Sequence, residues 1–261
     1  AGKAAQLCGA RRGLLLLLMA LPVAPMAARG CLVTGAGRGL GAALVIDLLD
    51  QGATVVALSR QQIELEQLGR LASERGLANN LLVQVGSTLD PQCTSSAIAQ
   101  LQGRGCGLNL LVANASVFGP RELLIESSPE AWEDAVTTNV LGLSRSCRAA
   151  IPALQQAQDA QILVIGSAIG HQQSSHASAY AVSKAMAWSL VKCLSLELAP
   201  AQIAVNEWIP GPLHTSMNPS AGDIPVCRQP DDPLVLNFFR TLCQMRCPMP
   251  SGQSFSLRPQ P

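Results

Sequence analysis

From Cys31 onward, short runs of Val, Ile and Leu alternate with longer stretches of helical periodicity, and this alternation constrains the chain more than any other feature. Repeated strand, helix, strand units of that kind build a parallel sheet with helices on both faces. Strands are expected at Cys31 to Thr34, Thr54 to Leu58, Leu81 to Val85, Asn109 to Ala113, Gln161 to Ile165, Ile203 to Trp208 and Ser254 to Leu257. Their nearly continuous apolar character is what a strand needs when both of its faces are covered. Helices are expected at about Gly39 to Gln51, Gln61 to Glu74, Cys93 to Gln102, Pro129 to Ala157, Ala177 to Leu198 and Pro233 to Cys243. The pattern predicts one α/β domain over residues 30–261, doubly wound on a seven-stranded parallel sheet. With 261 residues in all, the chain is long enough to bury such a core without disulfide staples.

Charge removes several alternatives. Lys and Arg number 18 against 17 Asp and Glu, for a net charge of +1, which supports neither a nucleic-acid-binding surface nor a disordered polyelectrolyte. The nine cysteines are odd in number, scattered and mostly set in apolar runs, so they read as reduced, buried thiols of the cytoplasm or another reducing compartment. Cys227, Cys243 and Cys247 lack the spacing of a structural zinc site, and no metal is expected.

Residues 1–29 differ in character from the rest. Lys3, Arg11, Arg12 and Arg29 occur with no acid, and Leu14 to Ala28 is uncharged with five consecutive leucines. This resembles a secretory or organellar targeting segment. Pro22 and Pro25 interrupt it, and it falls short of the ~20 apolar residues that span a bilayer comfortably. An apolar arm folded onto the domain is the alternative, and membrane association through residues 14–28 stays open. The proline-rich stretch from Pro210 to Pro233 reads as a mobile or substrate-covering segment.

Thr34-Gly35-Ala36-Gly37-Arg38-Gly39-Leu40-Gly41 follows the first strand directly and opens a helix. Glycines let a backbone turn sharply and approach a pyrophosphate, whose charge meets free N–H groups and the positive end of the helix dipole. Leu40 stands where a Gly-x-Gly-x-x-Gly pattern would need its third glycine; the spacing is Thr-Gly-x-x-x-Gly-x-Gly. The second strand ends Leu58-Ser59-Arg60, with no acid to hold a ribose 2′-hydroxyl. Arg60 and Arg38 suit a 2′-phosphate instead, which favours NADP(H) over NAD(H).

Tyr180 and Lys184 stand at i and i+4 on one helix face. A cation beside a phenol favours phenolate and pulls its pKa down from about 10, as a general acid/base for carbonyl chemistry requires. Ser167, just after the fifth strand, can present its hydroxyl to the same cleft. Tyr180 is also the only tyrosine in the chain. His171, His176 and His214 read as polar residues of the rim.

Together, the turn, Ser167 and Tyr180-x-x-x-Lys184 resemble the short-chain dehydrogenase/reductase family from roughly Gly30 to Leu257. Asn114-Ala115 is similar to its Asn-Ala-Gly element, Asn139 in Asn139-Val140-Leu141-Gly142 to its helix asparagine, and Pro210-Gly211 with Thr215 to its Pro-Gly-x-x-x-Thr segment. The resemblance implies a Rossmann-fold oxidoreductase that interconverts a small carbonyl compound and its alcohol, usually as a homodimer or homotetramer. It implies that Tyr180 protonates the carbonyl oxygen, that Ser167 hydrogen-bonds it, and that Lys184 binds the nicotinamide ribose. Asn139 would hold a relay water through its backbone carbonyl, and Thr215 would contact the carboxamide. Ser87 and Thr88 align with the adenine-binding segment, where the family usually has Asp at the position of Ser87. Ser116 replaces the glycine that completes Asn-Ala-Gly. These two departures motivate an alternative, a dinucleotide-binding regulatory or interaction protein with little turnover. A membrane-associated reductase of lipid-like substrates is suggested only by the apolar amino terminus.

Overall fold

A computed structural model of the protein describes residues 26–217, 227–246 and 249–257. Seven strands form: β1 (Gly30–Thr34), β2 (Thr54–Ser59), β3 (Leu81–Val85), β4 (Leu108–Ala113), β5 (Gln161–Ile165), β6 (Ala204–Ile209) and β7 (Ser254–Ser256). Each lies within a residue of its expected bounds. They make one sheet in the order β3-β2-β1-β4-β5-β6-β7, with every neighbouring pair parallel. The chain therefore winds outward from β1 to β3, returns to the other side of β1 as β4, and winds out again. A crevice opens at such a reversal, beyond the carboxyl ends of β1 and β4.

The helices are α1 (Gly39–Asp50), α2 (Gln62–Glu74), α3 (Pro91–Gly103), α4 (Pro129–Val136), α5 (Gly142–Leu154), α6 (Ser178–Glu197) and α7 (Pro233–Cys243). Three of them start alike: Asp90, Ser128 and Asp232 each accept a hydrogen bond from a first-turn N–H, and a proline follows at once. Proline suits that position because its missing N–H would have had no helical partner. One face of the sheet packs Leu44, Leu68, Trp208 and Phe239 under α1, α2 and α7. The other packs Leu101, Leu111, Leu154 and Val191 under α3, α5 and α6.

The helix expected from Pro129 to Ala157 runs from Pro129 to Leu154 and carries a π-helical turn at Thr137–Leu141, which separates α4 from α5. Asn139, within that turn, has a distant partner described below. Met26 is buried in the core and Arg29 donates to the carbonyls of Cys243 (2.9 Å) and Asp159 (3.0 Å), so the chain is packed onto the domain from Met26. Most of the targeting segment expected at residues 14–28 lies outside the described residues, as do residues 218–226 of the proline-rich stretch. No described helix is long and apolar enough to cross a membrane. Burial pushes the thiols of Cys31 and Cys147 up to about 12, which makes them poor nucleophiles at neutral pH.

Candidate active site

The turn after β1 is held by the end of β4. Thr34 Oγ1 accepts from the backbone N–H groups of Asn114 and Ala115, both at 3.1 Å. Asn114 Nδ2 donates back to the carbonyls of Thr34 (3.1 Å) and Gly35 (3.0 Å). Asn114 thus shapes the turn. Gly35 has φ +63°, and a Cβ on Gly41 would lie 2.1 Å from the Gly35 carbonyl oxygen, so neither position admits a side chain without displacing the loop. The amino terminus of α1 follows directly, with its unpaired N–H groups and positive dipole end.

From this turn a cavity of about 770 Å³ runs along the carboxyl ends of the strands to α6. Its walls include every residue singled out above for cofactor or catalysis except Thr34, Gly37 and Asn139, which stand behind the wall. Pro210, Gly211 and Thr215 close one side, and Thr215 Cγ2 would lie 3.3 Å from a Cβ on Gly39. Space, glycine turn and helix terminus fit a dinucleotide.

At the β2 end the structure adds Glu64, which sequence reasoning missed. Its carboxylate pairs with Arg38 at 3.3 Å and accepts from Ser59 Oγ at 3.4 Å. The signal in the sequence was an acid in the first turn of the helix after β2. Arg60 is exposed and has no ion pair among the described residues. Ser87 Oγ accepts from the Leu89 N–H at 3.2 Å, which ties its hydroxyl into the turn before α3. The Ser116 hydroxyl is buried with no hydrogen-bond partner among the described residues.

At the other end, α6 brings Tyr180 and Lys184 to the cavity and the end of β5 brings Ser167. Burial pushes Tyr180 up to about 12, outweighing the nearby Ser167 hydroxyl and the positive charge of Arg121, both of which favour the phenolate. The expected lowering by Lys184 is not found. Lys184 Nζ donates to the Ile165 carbonyl at 2.8 Å and stands 5.5 Å from the phenol ring centre. Burial pushes Lys184 itself down to about 8, against the charge of Glu207. At neutral pH the phenol therefore keeps its proton, as a donor to a carbonyl oxygen must.

Asn139 fixes this arrangement from behind. Its Oδ1 accepts from the Val117 N–H and its Nδ2 donates to the Val117 carbonyl, both at 2.8 Å, and Nδ2 also donates to Ser183 Oγ at 2.9 Å. Ser183 Oγ donates in turn to the Tyr180 carbonyl at 2.9 Å. One amide thus joins the loop after β4 to α6, and the π-helical turn directs it there. Beside it lies a small cavity of about 10 Å³ lined by Thr34, Thr88, Asn139, Ser146 and Lys184, roughly the room one water needs. The Ser146 hydroxyl on its wall is buried and without a partner among the described residues.

Two further groups were not foreseen. Phe118 stacks on Tyr180 with ring centres 4.6 Å apart, and the Arg121 guanidinium lies 3.6 Å over the outer face of Phe118. Glu207, an acid in an otherwise apolar strand, is buried in β6 and bonded to His171 Nε2 at 2.7 Å and to Ser254 Oγ. His171, expected at the rim, is thus an anchor for the loop that carries Ser167. A Cβ on Gly166 would lie 2.1 Å from Glu207 Oε1, which explains the glycine between β5 and Ser167.

Fold and site together define an oxidoreductase that uses a nicotinamide dinucleotide. Residues 29–223 match the model of the short chain dehydrogenase family. The chain is 30% identical over 195 residues to dehydrogenase/reductase SDR family member 4 of Pongo abelii, covering 74% of this chain and 69% of that one. It is 28% identical over 192 residues to the 3-oxoacyl-acyl-carrier-protein reductase of Escherichia coli, covering 74% and 76%. A solved short chain dehydrogenase from Pseudomonas syringae is 26% identical, with a TM-score of 0.81 over 91% of this chain and 98% of that one. The chain belongs to the short-chain dehydrogenase/reductase family and is an oxidoreductase acting on CH–OH groups.

Proposed function

We propose that this protein is an NADP(H)-dependent reductase of ketones or aldehydes, or the catalyst of the reverse oxidation, with Tyr180 as general acid/base. The observation that carries this reading is the protonated phenol on the wall of a dinucleotide-sized cavity, with Ser167 on the same wall and Lys184 one helical turn on. Bound nicotinamide would supply hydride to the carbonyl carbon. As negative charge develops on the carbonyl oxygen, Tyr180 donates its proton to it and Ser167 hydrogen-bonds it. Lys184 and Thr215 would hold the cofactor ribose and carboxamide. Lys184, Asn139 and the small cavity between them return a proton to the phenolate.

The preference for NADP(H) rests on Arg60 and Arg38. Glu64 already neutralises Arg38 in the free protein, so Arg60 is the guanidinium available to a 2′-phosphate. Arg60→Ala is expected to weaken NADPH binding by roughly tenfold or more, the worth of a charge-assisted hydrogen bond, and NADH binding far less. Fluorescence titration with the two cofactors measures this, and equal losses would assign phosphate recognition elsewhere. Exposed Val182 and Met186 on α6, with Leu141 before α5, support assembly as a homodimer or homotetramer. The reading itself is tested by NADPH consumption with a panel of ketones and aldehydes: carbonyl-dependent oxidation upholds it, and tight binding without turnover would favour the regulatory alternative.

A further inference from the structure

Arg121 shares with Arg60 the lack of a carboxylate partner among the described residues, but Arg60 lies at the β2 end of the cavity and Arg121 lies beside Tyr180. Glu64 is the one acid among the described lining residues, and it is paired with Arg38 at the far end. Lys184 donates to the Ile165 carbonyl and is assigned to the cofactor ribose. Arg121 donates one bond, from Nη2 to the Met217 carbonyl at 2.6 Å, and has no carboxylate partner among the described residues. Its guanidinium carbon lies 3.6 Å from the centre of the Phe118 ring, and Phe118 stacks on Tyr180, so the cation sits one ring beyond the proton donor. That cation–π contact and the bond to Met217 hold the guanidinium at the cavity wall, with its other N–H donors unpaired among the described residues. The charge is felt at the reacting oxygen, where it opposes the effect of burial on Tyr180.

We propose that Arg121 is a specificity-determining residue that grips the carboxylate of an anionic carbonyl substrate, an oxo acid whose acid group lies a short chain away from the reacting carbonyl. The inference rests on the carbonyl-reductase reading above. A planar guanidinium with free edge donors matches a carboxylate in two parallel hydrogen bonds, which a neutral substrate cannot supply. The contact lies at an exposed mouth, so it weakens as salt rises.

The test is one of binding, independent of turnover. The NADP-loaded protein is titrated with hexanoate and with hexanamide, matched in shape and differing in charge. The carboxylate is expected to bind roughly tenfold tighter or better, with the margin shrinking at high salt and lost in Arg121→Gln. Equal affinities in the unaltered protein, or a preference that persists in Arg121→Gln, would overturn the proposal. Equal affinities in the unaltered protein refute the idea without any variant; should Arg121→Gln misfold, Arg121→Lys, which keeps charge but loses the fork, is the second variant, and its preference is expected to fall between. Carbonyl turnover with no carboxylate preference would sink this proposal alone, whereas carboxylate preference without turnover of any carbonyl would sink the reductase reading.

Discussion

Tyr180→Phe is expected to lower kcat by roughly 10²- to 10⁴-fold, the usual worth of a positioned general acid, while NADPH still binds. The substitution removes one oxygen. The ring keeps its stacking on Phe118 at 4.6 Å, and the bond that Ser183 makes is to the Tyr180 backbone, so neither α6 nor the cavity loses its support. A loss in kcat with little change in cofactor affinity is the signature of a group that acts mainly in the transition state. Tyr180 is also the only tyrosine, so a tyrosinate titration of the unaltered protein reports this phenol alone. Its midpoint is expected well above 10, near the value of about 12 to which burial pushes it. A variant with turnover near that of the unaltered protein would remove the phenol from the chemistry.

The second large effect concerns the fold beneath the cofactor turn. Asp47 of α1 is 1% exposed and receives Arg240 Nε of α7 at 2.8 Å and Gln51 Nε2 at 2.7 Å. Arg240→Met would leave this carboxylate in the apolar core between the two helices. Removing one partner of a buried pair costs about 3–5 kcal/mol, and the lower end is expected here because the Arg240 side chain is 40% exposed. Burial already raises the Asp47 pKa, with the bonds to Arg240 holding it down. Without the guanidinium it rises further above the unfolded value. A carboxyl whose folded pKa is raised is best tolerated below the unfolded pKa, and the penalty grows as pH climbs through the folded pKa. Urea unfolding of Arg240→Met is therefore expected to show a deficit that is small in acid and full at neutral pH. A deficit independent of pH would contradict this account of Asp47.

What the sequence made legible, and what it did not, follows from the range of the forces involved. Strands buried on both faces, such as Leu32 and Val33 in β1 or Leu111 and Val112 in β4, have no polar alternation to obscure them, and their bounds could be read to within a residue. The glycine turn, Ser167 and the Tyr180-Lys184 pair were legible because their spacing is local. The π-helical turn was not, since nothing local marks it and the partner of its Asn139, Val117, lies across the fold. Glu64 was passed over because only the docking of α2 brings it to Arg38 and Ser59. The direction of the Tyr180 shift was misjudged for a related reason. Helical spacing places a cation near the phenol, but the outcome is set by burial and by where the Lys184 ammonium points, and it points to the Ile165 carbonyl. Phe118 and Arg121 lie in a loop with no periodicity to announce them, and Glu207 finds His171 only when β6 pairs beside β5.

Hydride moving from a nicotinamide to a carbonyl carbon, with Tyr180 supplying the proton, leaves a distinct isotopic record. NADPH carrying deuterium at both C4 positions, given to the protein with a carbonyl compound in ordinary water, tests it by mass spectrometry of the alcohol formed. The expected result is one deuterium on the carbinol carbon, with the hydroxyl proton from solvent, and little or no labelled product from Tyr180→Phe over the same time. An alcohol whose carbinol hydrogen came from water, or labelled product formed equally well by Tyr180→Phe, would contradict it.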